Sequence, residues 1–225
     1  MNITQMHLEF KLLMDKADAV GAPNFISAEI DRFLNAAIER FVSKRAFGNN
    51  PRRLGFEEDQ KRRDDLRELI TTHTASSGDF TSDDANKPGG RFVKLPDDYR
   101  HAINEESLLS YKDGGKSRVG VKPITHDRYN KIIDDPFNSP IKDSVYRLDY
   151  SSNSFEIIVP VGSTLSAYIL RYLKNPDEVS KTDSKDCNLA KHTHREIVRM
   201  AVLEALSNIE DQRYQASKIE LNEIE

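Results

Sequence analysis

The chain has 225 residues, of which 37% are hydrophobic and 31% are charged, and it carries a net charge of −4. This length is enough for a real hydrophobic core. The low mean hydropathy of −0.64 reflects a highly charged surface and not disorder, because apolar residues recur periodically along the chain. A free-standing DNA-binding protein usually carries a concentrated basic face, whereas basic and acidic residues are interleaved here, as in residues 57–65. Nonspecific nucleic-acid binding is therefore not the favoured interpretation.

The cysteine content and the N-terminus restrict the cellular compartment. Cys187 is the single cysteine, so no intramolecular disulfide can form, and a reducing compartment is expected. Residues 1–10 lack the basic segment and the unbroken apolar run of a signal peptide. No apolar run approaches the length that spans a membrane. We therefore expect a soluble protein that is made in a cytoplasm and has no membrane partner.

The chain begins with amphipathic helices. The first is predicted over residues 3–20, and the second runs from Ser27 to Arg45. Ser27 is expected to cap the first free amides of the second helix, and Lys44 and Arg45 complement the negative end of its dipole. The apolar stripe of this helix consists of Ile30, Phe33, Leu34, Ala37, Ile38 and Phe41. The cap, the C-terminal cations and the apolar stripe all agree on the same helix, which indicates an element that packs against other elements.

The pattern then changes from helical to extended. A third helix is predicted over residues 56–71, followed by a Ser-, Thr-, Asp- and Gly-rich loop over 73–90. Strands are predicted at 91–95, 102–112, 117–124, 145–150, 155–160 and 164–173, with a short helix at 126–133. Tight turns at 113–116 and 151–154 join two pairs of these strands as hairpins.

A long helix is predicted from His192 to beyond Tyr214, followed by a charged tail at 215–225. The predicted fold class is therefore α+β: a helical bundle of the N-terminal helices and the long C-terminal helix, with an inserted antiparallel β-sheet or small barrel. The predicted division of the chain is 1–72 for the N-terminal helices, 73–90 for the loop, 91–175 for the β-rich insertion and 176–225 for the connector, last helix and tail.

Residues that could carry chemistry do not form a known catalytic pattern. Cys187, His192 and His194 suggest zinc, but their spacing matches no closed four-ligand set, and the fourth candidate, Asp186, is adjacent to the cysteine. Cys187 also lacks the glycine elbow or helix start that frames a nucleophile. We predict no catalytic residue, no metal and no cofactor, and hence no enzyme. A hydrolase that uses Cys187 or the histidines is a less favoured hypothesis.

One basic cluster is a candidate for contact with DNA. It consists of Lys44 and Arg45 at the end of the second helix, followed by Arg52 and Arg53. The helix dipole accounts for Lys44 and Arg45, whereas Arg52 and Arg53 are left to face a phosphate or an acidic partner. The alternative hypothesis for the whole protein is therefore a DNA-binding or packaging accessory protein that uses Lys44, Arg52 and Arg53.

An ordered series of short motifs, each weak by itself, spans nearly the whole chain. The N-terminal motifs are residues 6–15 (MHLEFKLLMD), 22–23 (AP), 27–30 (SAEI), 33–37 (FLNAA) and 55–57 (GFE), with Arg62, Arg63 and Leu66 downstream. The later motifs are residues 92–99 (FVKLPDDY), 121–129 (VKPITHDRY), 135–140 (DPFNSP), 147–148 (RL), 168–176 (YILRYLKNP), 187–189 (CNL) and 194–198 (HREIV). In this order the chain resembles the head–tail connector (adaptor or ring) proteins of crAss-like and related short-tailed bacteriophages.

This resemblance implies a virion structural protein. It implies a ring, expected to be a dodecamer, that is stacked beneath the portal at the head–tail vertex, with genomic DNA passing through its lumen without sequence specificity. It also implies helices that pack laterally and a β-rich part that meets other connector or tail proteins. A mildly acidic chain suits this role, because each phosphate neutralised by Lys or Arg would add affinity for the passing DNA.

Contact residues follow from the same resemblance as expectations. The expected subunit interface uses charged residues of the second and third helices, namely Arg32, Arg40, Arg62, Arg63 and Asp64. The expected contacts with axial partners are Asp135, Pro136, Phe137, Pro140, Ile219 and Leu221. Assembly and stacking are thus assigned to different parts of the chain.

Overall fold

The computed structural model describes residues 1–14, 25–47, 59–81, 90–133, 135, 137, 140, 144–151, 153–208 and 218–219. The chain folds into two compact units, each with most of its contacts inside itself. The helical unit contains Met1–Leu69 and Pro176–Glu225, and the β unit is Ile70–Asn175. Within the described part of the chain, no helix combines the length and the apolar character needed to cross a membrane.

Along the chain, the helical unit is interrupted once by the β unit. In chain order they are α1 (Ile3–Met14), α2 (Ser27–Phe47), α3 (Gln60–Leu66), a 3₁₀ turn (Arg67–Leu69), β1 (Ile70–Ser76), β2 (Phe80–Thr81), β3 (Gly90–Lys94), β4 (Tyr99–Tyr111), β5 (Lys116–Pro123), α4 (His126–Ile133), β6 (Val145–Ser151), β7 (Ser154–Ile158), β8 (Ser163–Lys174) and α5 (His194–Asn208). The β unit is therefore inserted between α3 and the segment that leads to α5.

Helix α5 packs against both α1 and α2 in the helical unit. Each helix contributes apolar side chains at helical spacing, and these are removed from water almost completely. They include Met6, Phe10, Ile30, Leu34, Ile38, Phe41, Ile197 and Ala201. Burial of such side chains contributes roughly 1.5–3 kcal/mol for each large one, so this interface accounts for much of the stability of the unit.

The first two helices begin with side-chain caps. In α1 the caps are reciprocal: the N–H of Gln5 donates to Oδ1 of Asn2 (2.8 Å), and the N–H of Asn2 donates to Oε1 of Gln5 (3.0 Å). In α2 the cap differs from the one predicted for Ser27. The N–H of Ile26 donates to Oε2 of Glu29 (2.9 Å), so Glu29 holds the start of the helix.

Eight strands form one strongly curled sheet, a half-barrel, in the β unit. Its strand order is β1-β8-β4-β5-β6-β7-β3-β2. Neighbouring strands are antiparallel except β5 and β6, which run parallel with Val121 opposite Val145. Helix α4 lies in the connection between these two strands, because a parallel pair requires a crossover.

Two apolar clusters lie on opposite faces of the sheet. The larger one draws buried side chains from strands near both ends of the sheet, including Ala75 of the edge strand β1 and Val93 of β3, which lies beside the edge strand β2, so it lies on the concave face. The smaller one joins Tyr129 of α4 to the outer face of β6 and β7. The neighbours Ile157 and Ile158 belong to different clusters, because successive strand residues point to opposite faces.

The turn between β7 and β8 requires a glycine. Gly162 has a φ of +84°, and the N–H of Ser163 donates to the carbonyl oxygen of Pro160 (3.1 Å). A Cβ at Gly162 would meet no atom within 4 Å, so Gly162→Ala should destabilise the protein through backbone strain alone, by about 1–2 kcal/mol. Urea denaturation measures this loss. Gly120→Ala, also in open space but outside the positive-φ region, is the control, and an equal loss there would contradict the explanation.

The fold class predicted from the sequence is wrong. In the described part of the chain, the main element is a curled eight-stranded mixed sheet accompanied by the helices α1–α5, and not a helical bundle with an inserted antiparallel sheet or small barrel. The described C-terminal helix, α5, comprises 15 residues, His194–Asn208, so it begins two residues after the predicted start at His192. Periodicity identifies which residues face a core, but it carries no information on how strands pair across a hundred residues, and so the size and mixed pairing of the sheet were missed.

The strand β1 stands where the end of the third helix and the start of the loop 73–90 are predicted. It pairs with β8 along its whole length, from Ile70 opposite Leu173 to Ser76 opposite Ala167. Burial alternates along this strand from Thr72 to Ser76, but only Ala75 is fully buried and most of its residues are polar, so the apolar alternation that would signal a strand is absent from the sequence. The predicted ends of the first helix (15–20), the start of the third (56–58), residues 82–89 of the loop, the continuation at 209–214 and most of the tail lie outside the described residues.

Candidate functional site

A groove on the helical unit contains one of the predicted interface residues. It is lined by residues of α2 and α5 and by Phe25, which precedes α2, and we call it the α2–α5 groove. Its lining residues are Phe25, Glu29, Arg32, Phe33, Ala36, Glu204 and Asn208, and its volume is about 420 Å³. Four of these side chains follow the i, i+3, i+4, i+7 spacing of one helix face, which explains how α2 forms one wall.

The floor of the groove is aromatic. Phe25 and Phe33 meet edge to face with ring centroids 5.5 Å apart, and Phe10 of α1 lies 6.0 Å and 6.2 Å from them. Phe25 and Phe33 are half-buried, whereas Phe10 is fully buried. An aromatic floor with a charged rim is typical of the central part of a protein–protein interface.

The rim of the groove carries charges of both signs. Nη1 of Arg40 lies 3.9 Å from Oε2 of Glu204, and the Arg40 side chain is 58% exposed. Arg32 is exposed. The structure therefore places Arg32 and Arg40, both predicted as interface residues, beside the same groove. Sequence reasoning missed Phe25 and Glu204, since the pairing of Arg40 with Glu204 joins two helices and leaves no local signal.

The other predicted interface residues lie on α3. Nε of Arg62 is 3.9 Å from Oδ2 of Asp59, and the Arg62 side chain is mostly buried. Arg63 is exposed, and Asp64 is half-buried. The next residue, Asp65, is fully buried. Helix α3 therefore presents charged side chains on one side and an ion pair to the interior on the other.

Arg45 is the centre of a buried ion cluster that sequence reasoning missed. Its Nε lies 2.8 Å from Oδ2 of Asp65, and its Nη2 donates to both oxygens of Glu196 (2.8 and 2.9 Å). Its guanidinium carbon lies 5.0 Å from the centre of the Phe41 ring. His192 adds a contact from its Nε2 to Oδ1 of Asp65 (2.8 Å). We call Arg45, Asp65, Glu196 and His192 the Arg45 cluster, and it joins α2, α3 and α5.

This cluster changes the interpretation of the basic residues considered for DNA. The sequence attributes Arg45 to the helix dipole, whereas its side chain is only 8% exposed and is committed to carboxylates. Lys44 is half-buried. Arg52 and Arg53 lie outside the described residues.

The residues that the sequence suggested for zinc or for a nucleophile make hydrogen bonds to different partners. Nε2 of His194 donates to the carbonyl oxygen of Leu189 (2.9 Å), and Oδ1 of Asp186 accepts from the N–H of Ile3 (2.7 Å). Burial lowers the pKa of His194 and raises the pKa of the Cys187 thiol. Among the described residues, no group of three or more His, Cys, Asp or Glu side chains could hold a metal ion.

A second buried ion cluster lies inside the β unit. Nη1 of Arg147 donates to Oε1 of Glu105, and the hydroxyl of Tyr168 donates to the other oxygen of Glu105 (2.7 Å). Nε of Arg147 lies 3.1 Å from Oδ1 of Asp149, and its guanidinium carbon lies 4.2 Å from the centre of the Phe155 ring. Burial raises the pKa of Glu105, and Tyr168 and Arg147 partly offset this. We call Glu105, Arg147, Asp149 and Tyr168 the Arg147 cluster; Asp149 is 70% exposed, whereas the other three residues are buried.

The residues expected to meet axial partners are partly described. Phe137 is 89% exposed, and its N–H donates to Oδ1 of Asp135 (2.9 Å). Asp135 and Pro140 are half-buried, and Ile219 is exposed. Pro136 and Leu221 lie outside the described residues. The aromatic side chain of Phe137 is therefore almost fully exposed to solvent, and its backbone N–H is bound by the side chain of Asp135.

Comparisons with known proteins give the family. The sequence profile described as phage tail ring protein 3/4 matches residues 1–218. Ring protein 4/5 of Bacteroides phage crAss001 is 26% identical over 226 residues, which cover 90% of this chain and 91% of that protein. Ring protein 3 of the same phage is 28% identical over 164 residues, which cover 65% of this chain and 69% of that protein. The resemblance to crAss-like ring proteins is confirmed, and the chain belongs to the phage tail ring protein 3/4 family.

Proposed function

We propose that the chain is a non-enzymatic structural protein that assembles into a ring, a dodecamer, which connects the portal to the tail and surrounds the passing DNA. The observation that carries this proposal is the family match over residues 1–218, which includes both units. Two ring proteins of one phage are similar to this chain, which supports a place in a stack of related rings at the head–tail vertex.

The lateral interface is proposed on the helical unit. A closed ring requires heterologous contacts, in which one surface of a subunit meets a different surface of the next. The mixed charges of Arg32, Arg40, Arg62, Arg63 and Asp64 suit such contacts, because opposite charges across an interface fix its register. The aromatic floor of the α2–α5 groove supplies the apolar centre.

Axial contacts and the channel are proposed on other residues. Ile219 and Leu221 are proposed to meet the portal or an adjacent ring. Lys44, Arg52 and Arg53 are the proposed points of contact with DNA in the lumen. The net charge of −4 supports a surface that lets DNA slide, because few neutralised phosphates mean weak binding.

The experiment is to purify the whole chain and examine its assembly alone and with purified portal protein. We expect mass photometry to detect one large species, and negative-stain images to show rings with uniform rotational symmetry. The comparison is the variant Ala36→Trp, in which a large side chain fills the α2–α5 groove. This variant should fold with an unchanged circular dichroism spectrum and fail to form rings. A wild-type chain that stays monomeric at high concentration, both alone and with portal, would contradict the proposal.

A further inference from the structure

We propose that the α2–α5 groove of one copy receives the Phe137 turn of a neighbouring copy of this chain, with Asp135 placed beside Arg32. This inference rests on the proposed ring and states which two surfaces meet in it. The sequence favours an axial partner for the Phe137 turn, and that assignment is the rival outcome of the test below.

The donor surface is a small aromatic projection with a carboxylate beside it. Phe137 is 89% exposed, which is unusual for a phenyl ring, because aromatic side chains contribute most when their large surface is buried. The hydrogen bond from the N–H of Phe137 to Oδ1 of Asp135 (2.9 Å) fixes the turn. This hydrogen bond keeps the Asp135 carboxylate close to the backbone of Phe137, so the phenyl ring and a negative charge lie near one another.

The acceptor surface has the matching chemistry. Phe25 and Phe33 are half-buried at the groove and meet edge to face at 5.5 Å, so a third ring can pack against them in the arrangements that aromatic pairs prefer. The groove opens between α2 and α5 with a volume of about 420 Å³. It is therefore roomy enough for an incoming phenyl side chain.

Charge selects Asp135 as the partner of Arg32. Glu29 already accepts from the N–H of Ile26 (2.9 Å), and Glu204 lies 3.9 Å from Arg40. Within the described part of the chain, the Arg32 guanidinium makes no hydrogen bond or ion pair. An incoming carboxylate would give this cation a partner of opposite charge, and a charge-assisted hydrogen bond of this kind is stronger than a neutral one.

The pairing also has the symmetry that a ring needs. The groove lies on the helical unit and the Phe137 turn on the β unit, so donor and acceptor are different surfaces of each copy. Such a contact is heterologous, and it repeats around a rotation axis until the ring closes. A self-complementary contact would instead stop at a dimer.

A charge exchange on the whole chain tests the pairing. Arg32→Glu and Asp135→Arg should each weaken subunit association about tenfold or more, and the double variant should recover to within about threefold of wild type. Lys11→Glu, an exposed change of the same charge on α1, is the control and should leave association unchanged. Mass photometry over a dilution series measures each value, with circular dichroism to confirm folding.

A disulfide cross-link gives an independent readout. In a Cys187→Ala background, Ala36→Cys with Asn138→Cys, a pair that keeps Arg32, Asp135 and Phe137, should give a ladder of covalent multimers on oxidation, whereas neither single cysteine should pass the dimer. Rings that persist in both charge variants, or a double variant that fails to recover, would overturn the pairing while leaving the proposed function intact. Loss of binding to portal or another ring protein with intact rings would assign the Phe137 turn to an axial partner. A wild-type chain that never assembles would overturn both.

Discussion

Replacing Arg147 by leucine is expected to destabilise the β unit by about 3–5 kcal/mol at neutral pH, the range typical for removal of one partner from a buried ion pair. The change leaves the Glu105 carboxylate in the interior with Tyr168 as its remaining hydrogen-bond donor. The arginine also covers the Phe155 ring. Urea denaturation followed by tyrosine fluorescence measures the loss, because all tyrosines except Tyr214 belong to the β unit.

The loss in this variant should depend on pH. Burial raises the pKa of Glu105 above its usual 4.5, and Arg147 lowers it, so removal of Arg147 raises the pKa further. A carboxyl group whose pKa is raised in the folded state favours folding while it is protonated, and this contribution disappears as the pH rises through the folded pKa. The difference in stability between Arg147→Leu and wild type should therefore be smallest near pH 4.5 and grow towards pH 7.

Two variants make the Arg147 result interpretable. Arg118→Leu removes an arginine that pairs with Glu106 on the surface and is 55% exposed, and it should cost less than about 1 kcal/mol. Glu105→Gln combined with Arg147→Leu removes the stranded charge and should recover much of the stability. A constant loss from pH 4.5 to 7, or a double variant no better than Arg147→Leu alone, would contradict the explanation.

Arg45→Leu is expected to have an effect of similar size in the helical unit, about 3–5 kcal/mol. The variant leaves two carboxylates, Asp65 and Glu196, facing one another with side chains only 3% and 14% exposed. His192 contacts only Asp65 and is itself 61% exposed, so it cannot replace the arginine. Circular dichroism at 222 nm during urea denaturation follows this unit, since α1, α2, α3 and α5 belong to it and, of the α-helices that the structure describes with a range, only α4 lies in the β unit.

Arg40→Leu is the matched control for Arg45, because both residues lie on α2 and Arg40 is largely exposed beside Glu204. It should change the free energy of unfolding by less than about 1 kcal/mol. The loss of unfolding free energy in Arg45→Lys should lie between the losses in Arg45→Leu and Arg40→Leu. An ammonium group cannot reproduce both the contact from Nε to Asp65 and the bidentate contact to Glu196. A loss for Arg45→Leu as small as that for Arg40→Leu would show that the cluster does not stabilise the unit.

Local patterns predicted many elements of the chain correctly. The second helix, predicted as Ser27–Arg45, is α2 (Ser27–Phe47), and the helix predicted over 126–133 is α4. The hairpin predicted across residues 113–116 is β4 and β5. These succeed because stripe, alternation and turn residues are all encoded within a few neighbouring positions.

Errors arose where the determining contact is distant in sequence. β1 is polar and is a strand because β8, about a hundred positions away, pairs with it. The parallel pairing of β5 with β6 leaves no signal, since each strand by itself looks like part of a hairpin. Arg45 shows the same limit at the level of a side chain: a lysine–arginine pair at a helix end is adequately explained by the dipole, and nothing local reveals Asp65 and Glu196.

The pairing of Ile70 with Leu173 has a consequence for how such proteins can diverge. Because the strands are antiparallel, the chain enters and leaves the β unit at neighbouring points of the sheet, about 5 Å apart. A loop inside the β unit can therefore be lengthened without moving the two points at which the chain enters and leaves that unit, because those points are held together by the β1–β8 pairing.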